Sequence, residues 1–408
     1  MKSINILHIS DVHINQTGQE EIAEIVQKLI VDAQKVEEHE KIKVDLICFT
    51  GDLIQRGDKA IQDENQFEIA RKILIEPLLD AFNLTMEQFI IIPGNHEVDI
   101  SKIVKATERG LQVQSLEEIN EIVDEMDNSY LIRLQYFYEE MRKLYPNILY
   151  EQLGYAFLKD VNGIKVGIAC VDSAWRSSGS GDKEKGNLYV GEKQIKRLYS
   201  YIKSAEIKIC MMHHPLEWLS GYETTVIERE MTKFDLVLNG HVHECDDKAI
   251  CRQNLKTIYN TAGKLYPLDY AQGRAKDGYN GYCIVNIDLE KGVCNLFLRS
   301  YYAKDREEFD EAVNICEKGF KTYELNNKEE RQMTFNIVKG LTDYFKQMAE
   351  KFSLINEIDL HSPMDITEVF IDPIVRRHIV GGANRTLISV ETPLRLCCIG
   401  TCRRLSAG

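Results

Sequence analysis

The chain has 408 residues, 44% of them hydrophobic, which suits a globular protein with room for two domains. Its formal net charge of −14 argues against a generally basic surface for gripping nucleic acid or anionic lipid. No apolar run approaches the roughly 18 residues of a membrane span. The opening MKSINILHISD turns polar early, so it reads as a first strand rather than a secretory signal, and a cytoplasmic protein is expected.

In chain order, short apolar runs with β-branched residues recur: INILHIS (4–10), DLICFTG (45–51), FIIIPGN (89–95), KVGIACVD (165–172), IKICMMH (207–213) and DLVLNGH (235–241). Helix-like stretches at 19–38 and 61–85 separate the first three, with apolar residues at three- and four-residue spacing. Strands alternating with helices predict an α/β sandwich in which helices cover the sheet. Residues 101–148 read as a polar helical insertion, with a capping-box pattern at Ser115 and Glu118. After residue 250 the pattern turns to hairpins, KTIYNTAG (256–263) and then YCIVNIDLEKGVCNLFLRSYY (282–302) folding about Glu-Lys-Gly. The expected organisation is one domain over 1–303, a charged linker over 304–328 and a helical C-terminal region over 329–408. A helix is predicted at 329–351, and the end of the chain is expected to be disordered.

Eleven cysteines show no zinc-finger pairing. Cys48, Cys170, Cys210 and Cys283 lie in strand-like runs, where a reduced thiol acts as a small core residue. Cys245 and Cys251 follow a histidine pair and are weighed as metal ligands against the spacing rules for zinc sites.

The strand ends are the telling feature. They read Ser10-Asp11-Val12-His13, Gly51-Asp52, Gly94-Asn95-His96, Met212-His213-His214-Pro215 and Asn239-Gly240-His241-Val242-His243. Six of the ten histidines fall in these segments, and a seventh, His8, lies just before the first. Any one of them alone reads as a packed core histidine. Five termini bringing Asp, Asn and His together would bury many polar groups without partners, at several kcal/mol each. Two cations between them would satisfy all at once. Strand alternation puts Asp11 and His13 on one face, as it does His241 and His243, and Asp52 can bridge two ions about 3.5–4 Å apart. Imidazole and carboxylate suit manganese, iron, zinc and similar divalent metals.

These motifs (DVH, GD, GNHE, HHP and GHVH, in that order) resemble the five motifs of the calcineurin-like metallophosphoesterase superfamily over residues 4–302. The resemblance implies a four-layer α/β sandwich with a binuclear metal site. It implies Asp11, His13 and His243 on one ion, Asp52 bridging, and Asn95, His213 and His241 on the other. Manganese comes first, with iron, zinc, nickel or magnesium as alternatives. His96 becomes a general acid or phosphate contact rather than a ligand, while His214 and His8 become supports behind the ligands. GNHE, with Glu97 where most phosphodiesterase members have Asp, is closer to the protein serine/threonine phosphatases. Arg56 in GDLIQRG is either a phosphate contact or a solvated loop residue. DITEVFIDPIVRR (365–377) resembles a short element of bacterial metallophosphoesterase–NTPase fusions, although no GxxxxGK[ST] phosphate loop follows.

The expected activity is hydrolysis of phosphodiesters, in nucleic acid or a cyclic nucleotide, by a two-metal-activated water. A phosphoprotein phosphatase and the effector domain of a regulatory or defence switch are the alternatives. The expected partner is a phosphoester substrate and not a membrane.

Overall fold

The computed structural model describes residues 2–14, 18–55, 65–103, 115–125, 131–242, 248–252, 255–265, 280–302, 306–326, 344, 374–379 and 386–391. It divides into two units, 1–327 and 328–408. In the first unit the strands are β1 (Ser3–Ile9), β2 (Leu46–Phe49), β3 (Phe89–Ile91), β4 (Leu149–Tyr150), β5 (Tyr155–Val161), β6 (Ile164–Val171) and β7 (Ile207–Met212). They continue with β8 (Leu236–Asn239), β9 (Lys248–Arg252), β10 (Leu255–Thr261), β11 (Gly281–Asp288), β12 (Val293–Tyr301), β13 (Phe309–Glu311) and β14 (Phe320–Glu324). One sheet has the order β13-β12-β11-β1-β2-β3 with β14 also paired to β12, and the other the order β4-β5-β6-β7-β8-β10-β9.

Strands β1 and β2 are buried on both faces, as expected of strands lying between two layers. One continuous core joins apolar residues of both sheets, such as Ile6, Phe49, Ile90, Phe157, Ile168 and Met211. Helix α1 (Gln19–Glu40) buries Ile22, Val26, Leu29 and Ala33 in the same core, a three-and-four spacing that follows the helical period. Burying each of the larger side chains is worth about 1.5–3 kcal/mol. A second cluster packs the other face of the second sheet, through Ala169, Cys210 and Val237, against Ile195, Leu198, Ile202, Ile227 and Met231. The result is the four-layer α/β sandwich that the motifs imply.

Polar bonds cross between the sheets beneath the strand ends. His8 Nδ1 lies 2.6 Å from Asn260 Oδ1 and His8 Nε2 3.0 Å from Thr50 Oγ1. The Thr50 hydroxyl also faces the Asn239 carbonyl at 3.2 Å. On the first sheet's edge, the Tyr155 hydroxyl donates to the Ile91 carbonyl. Cys48, Cys170, Cys210 and Cys283 are buried, as expected of small core residues. Cys245 and the side chain of Cys251 lie outside the described residues. Among the described residues, no helix is long and apolar enough to cross a membrane.

Three expectations change. The helix predicted at 61–85 is described from Gln66 and is broken: α2 (Gln66–Ala70) leads through a π turn (Arg71–Ile75) into α3 (Glu76–Phe82). Pro77 explains the break, because its ring cannot accept the regular register one turn earlier, and the Glu76 N–H bonds back five residues to Arg71 instead. Residues 306–326, read as linker, contribute β13 and β14, both paired antiparallel with β12. Nor is the C-terminal unit helical throughout: β15 (Ile374–Ile379) and β16 (Thr386–Glu391) pair as an antiparallel hairpin. The helix predicted at 329–351 lies outside the described residues except Tyr344. Within the insertion, Ser115 Oγ accepts the Glu118 N–H at 3.2 Å, ahead of a helix at Leu116–Glu125.

One buried carboxyl makes stability depend on pH. Glu223 accepts the Val190 N–H at 2.7 Å and the Gly191 N–H at 2.8 Å. Burial raises its pKa from 4.5 to about 7 despite those two donors. The folded chain therefore holds this proton to higher pH than the unfolded chain. The stability that the proton adds is complete below about 4.5 and lost as pH rises through about 7. Thermal unfolding from pH 5 to 8 should show this decline, and Glu223→Gln should flatten that component; an unchanged slope in the variant would remove Glu223 as its source.

Candidate metal centre

The strand ends converge, though loops rather than strand pleats aim the side chains. Strand β1 stops at Ile9, and Asp11 and His13 take left-handed φ values of 55° and 54°. Asp52 and His241 do the same, at 58° and 71°. Alternation along a strand therefore does not place Asp11 beside His13. Two loops interlock instead: the Asp11 N–H bonds the Gly51 carbonyl at 3.1 Å, His13 the Asp52 carbonyl at 2.9 Å and Ile14 the Leu53 carbonyl at 2.9 Å. Left-handed backbone costs a non-glycine residue about 1–2 kcal/mol. Strain of this kind clusters where the surroundings over-determine a functional geometry. Close approach also demands glycine. A Cβ on Gly94 would collide with the Asp52 carboxylate, and one on Gly240 with Ser10 Oγ and Asp11 Oδ2.

Among the described residues three groups of donors result, each with its atoms within 4.8 Å of one another: Asp11, Asp52 and His213; His13, Asp52 and His96; and His213, His214 and His241. His13 Nε2 is 3.8 Å from Asp11 Oδ1 and 4.0 Å from Asp52 Oδ2, too far for a hydrogen bond. His213 Nε2 is 3.4 Å from Asp52 Oδ2 and 3.1 Å from Asn95 Oδ1. Donors held about 2.0–2.2 Å from one divalent ion would stand about 3–4 Å apart. The residues therefore fit such ions, with imidazole and carboxylate donors and glycines clearing the space between them. Asp11, Asp52, His13 and His213 are buried, while Asn95, His96 and His241 are partly exposed. His243 and Arg56 lie outside the described residues.

The family model for calcineurin-like phosphoesterases matches residues 4–245, more than half of the chain. The chain belongs to that family. It is accordingly a metal-dependent phosphoester hydrolase. No curated protein matches the sequence. Solved structures that resemble this phosphoesterase do so distantly. The Plasmodium protein GAP50, the anchor in the inner membrane complex, is 14% identical over 80% of this chain and 89% of its own, with a TM-score of 0.40. A predicted phosphoesterase from Streptococcus pneumoniae is 11% identical over 79% and 99%, with a TM-score of 0.28. An archaeal phosphodiesterase is 11% identical over 72% and 99%, also with a TM-score of 0.28.

Charge at the phosphoesterase centre is unevenly distributed. Burial alone would lower His213, but the Asp52 and Asp11 carboxylates outweigh it and raise its pKa to about 9. Burial dominates at His13, whose pKa falls to about 3, with His96 and Lys264 adding to the drop. Burial would raise Asp52, yet His213 and His96 beside it hold it well below the usual carboxylate range. Without an ion, a protonated His213 supplies the positive charge that Asp52 requires. Ion binding must then displace that proton.

Some contributors were not legible as such. Glu97 is buried and brackets two strand ends, accepting the N–H groups of Asp52 at 2.8 Å, Ile54 at 3.0 Å and Gly94 at 2.6 Å. It is thus a backbone clamp, and burial together with Asp52 raises its pKa to about 7. Its extra methylene relative to Asp was visible in the sequence; its three amide partners were not. Trp218 stands edge-on to His241 with ring centroids 4.0 Å apart, a wall that only the aromatic residue in HHPLEW could have hinted at. His8 has both ring nitrogens engaged by Asn260 and Thr50, and burial lowers its pKa to about 4.

Proposed function

We propose that this phosphoesterase hydrolyses phosphodiesters, in nucleic acid or a cyclic nucleotide, with manganese as the first choice of metal. Asp11, His13, Asp52 and His243 would hold one ion, and Asp52, Asn95, His213 and His241 the other. Two such ions lower the pKa of water and offset the charge that develops on phosphoryl oxygens. Asp52 orients the site from the protein side, accepting the His96 N–H at 2.8 Å through Oδ1. His96 is partly exposed, with its ring 4.4 Å from that of His13, a position from which it can donate a proton to a departing alkoxide.

The observation that supports a diester is the charge of the donor set. Of its seven residues only Asp11 and Asp52 are carboxylates, and the nearby Glu97 is bound to backbone amides. Two divalent ions against two carboxylates leave two positive charges. A diester monoanion and an attacking hydroxide neutralise them, whereas a monoester dianion leaves a negative charge uncancelled. With manganese supplied, bis-p-nitrophenyl phosphate should be cleaved with a kcat/KM at least about tenfold above that of p-nitrophenyl phosphate, a difference of about 1.4 kcal/mol in transition-state stabilisation. The reverse preference would favour a phosphomonoesterase.

A further inference from the structure

The HHP turn places two histidines side by side, and the second has no assigned part in the chemistry. His214 is fully buried. Its Nδ1 lies 2.9 Å from Ser173 Oγ, and the same oxygen accepts the backbone N–H of His214 at 3.1 Å. The ring is therefore fixed on one side. Its other nitrogen, Nε2, is buried with no hydrogen-bond partner. The ring centroids of His213 and His241 are 4.7 Å and 4.4 Å away, and the three residues offer ring nitrogens within 4.8 Å of one another. His213 can contribute only Nε2, because Thr50 O engages its Nδ1 at 2.6 Å.

We infer that His214 Nε2 is a third imidazole ligand, beside His213 and His241, for one ion of the metal centre. His8 shows what a packed histidine looks like in this fold, with both ring nitrogens bonded. In His214 one nitrogen is tethered and the other is left facing two residues of the donor set, the arrangement in which a hydrogen bond orients a ligating ring. An unpartnered buried nitrogen carries a desolvation penalty that a coordinated cation removes. Three imidazoles with the Asn95 oxygen and Asp52 make this position rich in nitrogen, while Asp11 serves the other. A nitrogen-rich position favours iron, cobalt, nickel or zinc over magnesium. The two positions should accordingly differ in which ions they retain.

The inference rests on the metal centre of the reading above and not on the choice of substrate. The test uses the full chain with nitrogen-15-labelled histidine and cadmium-113 as the ion, read by direct cadmium–nitrogen coupling. One cadmium should couple to three imidazoles, and His214→Gln should delete one coupling while the other two persist. If that variant does not fold, Ser173→Ala, which perturbs the ring it touches, identifies the His214 resonance. Coupling to two imidazoles with the His214 nitrogen uncoupled would overturn the inference, as would failure of cadmium to bind this position. Either result would leave the diesterase reading standing, since that depends on the rates of the manganese-loaded protein.

Discussion

Asp52→Ala should lower turnover by more than about 10³-fold, at the upper end of what removal of one preorganised electrostatic group costs, and reduce bound metal below two ions per chain. Asp52 is the only residue common to the groups containing His13 with His96 and Asp11 with His213. Its carboxylate reaches toward His213 at 3.4 Å and His13 at 4.0 Å from a side chain that is 2% exposed. Gly94 packs its backbone directly against that carboxylate, where a Cβ would collide with Asp52 Oδ1. The backbone of the turn is secured separately, through Glu97 and the loop of Asp11 to Ile14, so the circular dichroism of the variant should match the parent. Metal analysis beside the rate decides the matter. Two ions retained in a fully active Asp52→Ala protein would remove the bridge from the assignment.

Substitution of His96 should separate binding from chemistry. His96→Ala is expected to keep both ions and lose about 10²- to 10⁴-fold in kcat, the usual range for a general acid. Its backbone N–H, which holds Asp52 Oδ1 at 2.8 Å, survives the change, so the bridge stays in place. The ring could alternatively donate to an ion, since it belongs to the group with His13 and Asp52. The two roles diverge in one measurement. Loss of an ion together with the rate would make His96 a ligand, whereas two ions with a slow rate make it the proton donor.

Much of the site could be read from residues alone because every strand end carries chelating side chains, three of them beside a glycine, as in Gly51-Asp52, Gly94-Asn95 and Gly240-His241. Order along the chain was enough to gather them. What could not be read was backbone conformation. Asp11 and His13 sit two apart, as on a strand, yet both take left-handed φ because the 51–53 loop takes over their hydrogen bonds. Strands β13 and β14 were missed for a different reason. FDE and FKTYE are short and charged, as suits an edge that must resist pairing with other chains, and that composition looks like a linker. Glu97 and Ser173 owe their parts to partners 45 and 41 residues away, a relation that no local pattern encodes.

The placement of β1 has a consequence for how the chain is made. This first strand pairs on one side with β11, Ser3 opposite Asp288. At the usual 5–20 residues per second of synthesis, those strands leave the ribosome roughly 15–60 s apart. The loop that carries Asp11 and His13 therefore waits, with one flank of β1 uncovered, until β11 arrives. Metal loading then follows the arrival of β11, and a nascent chain stalled before residue 281 should bind neither ion stably.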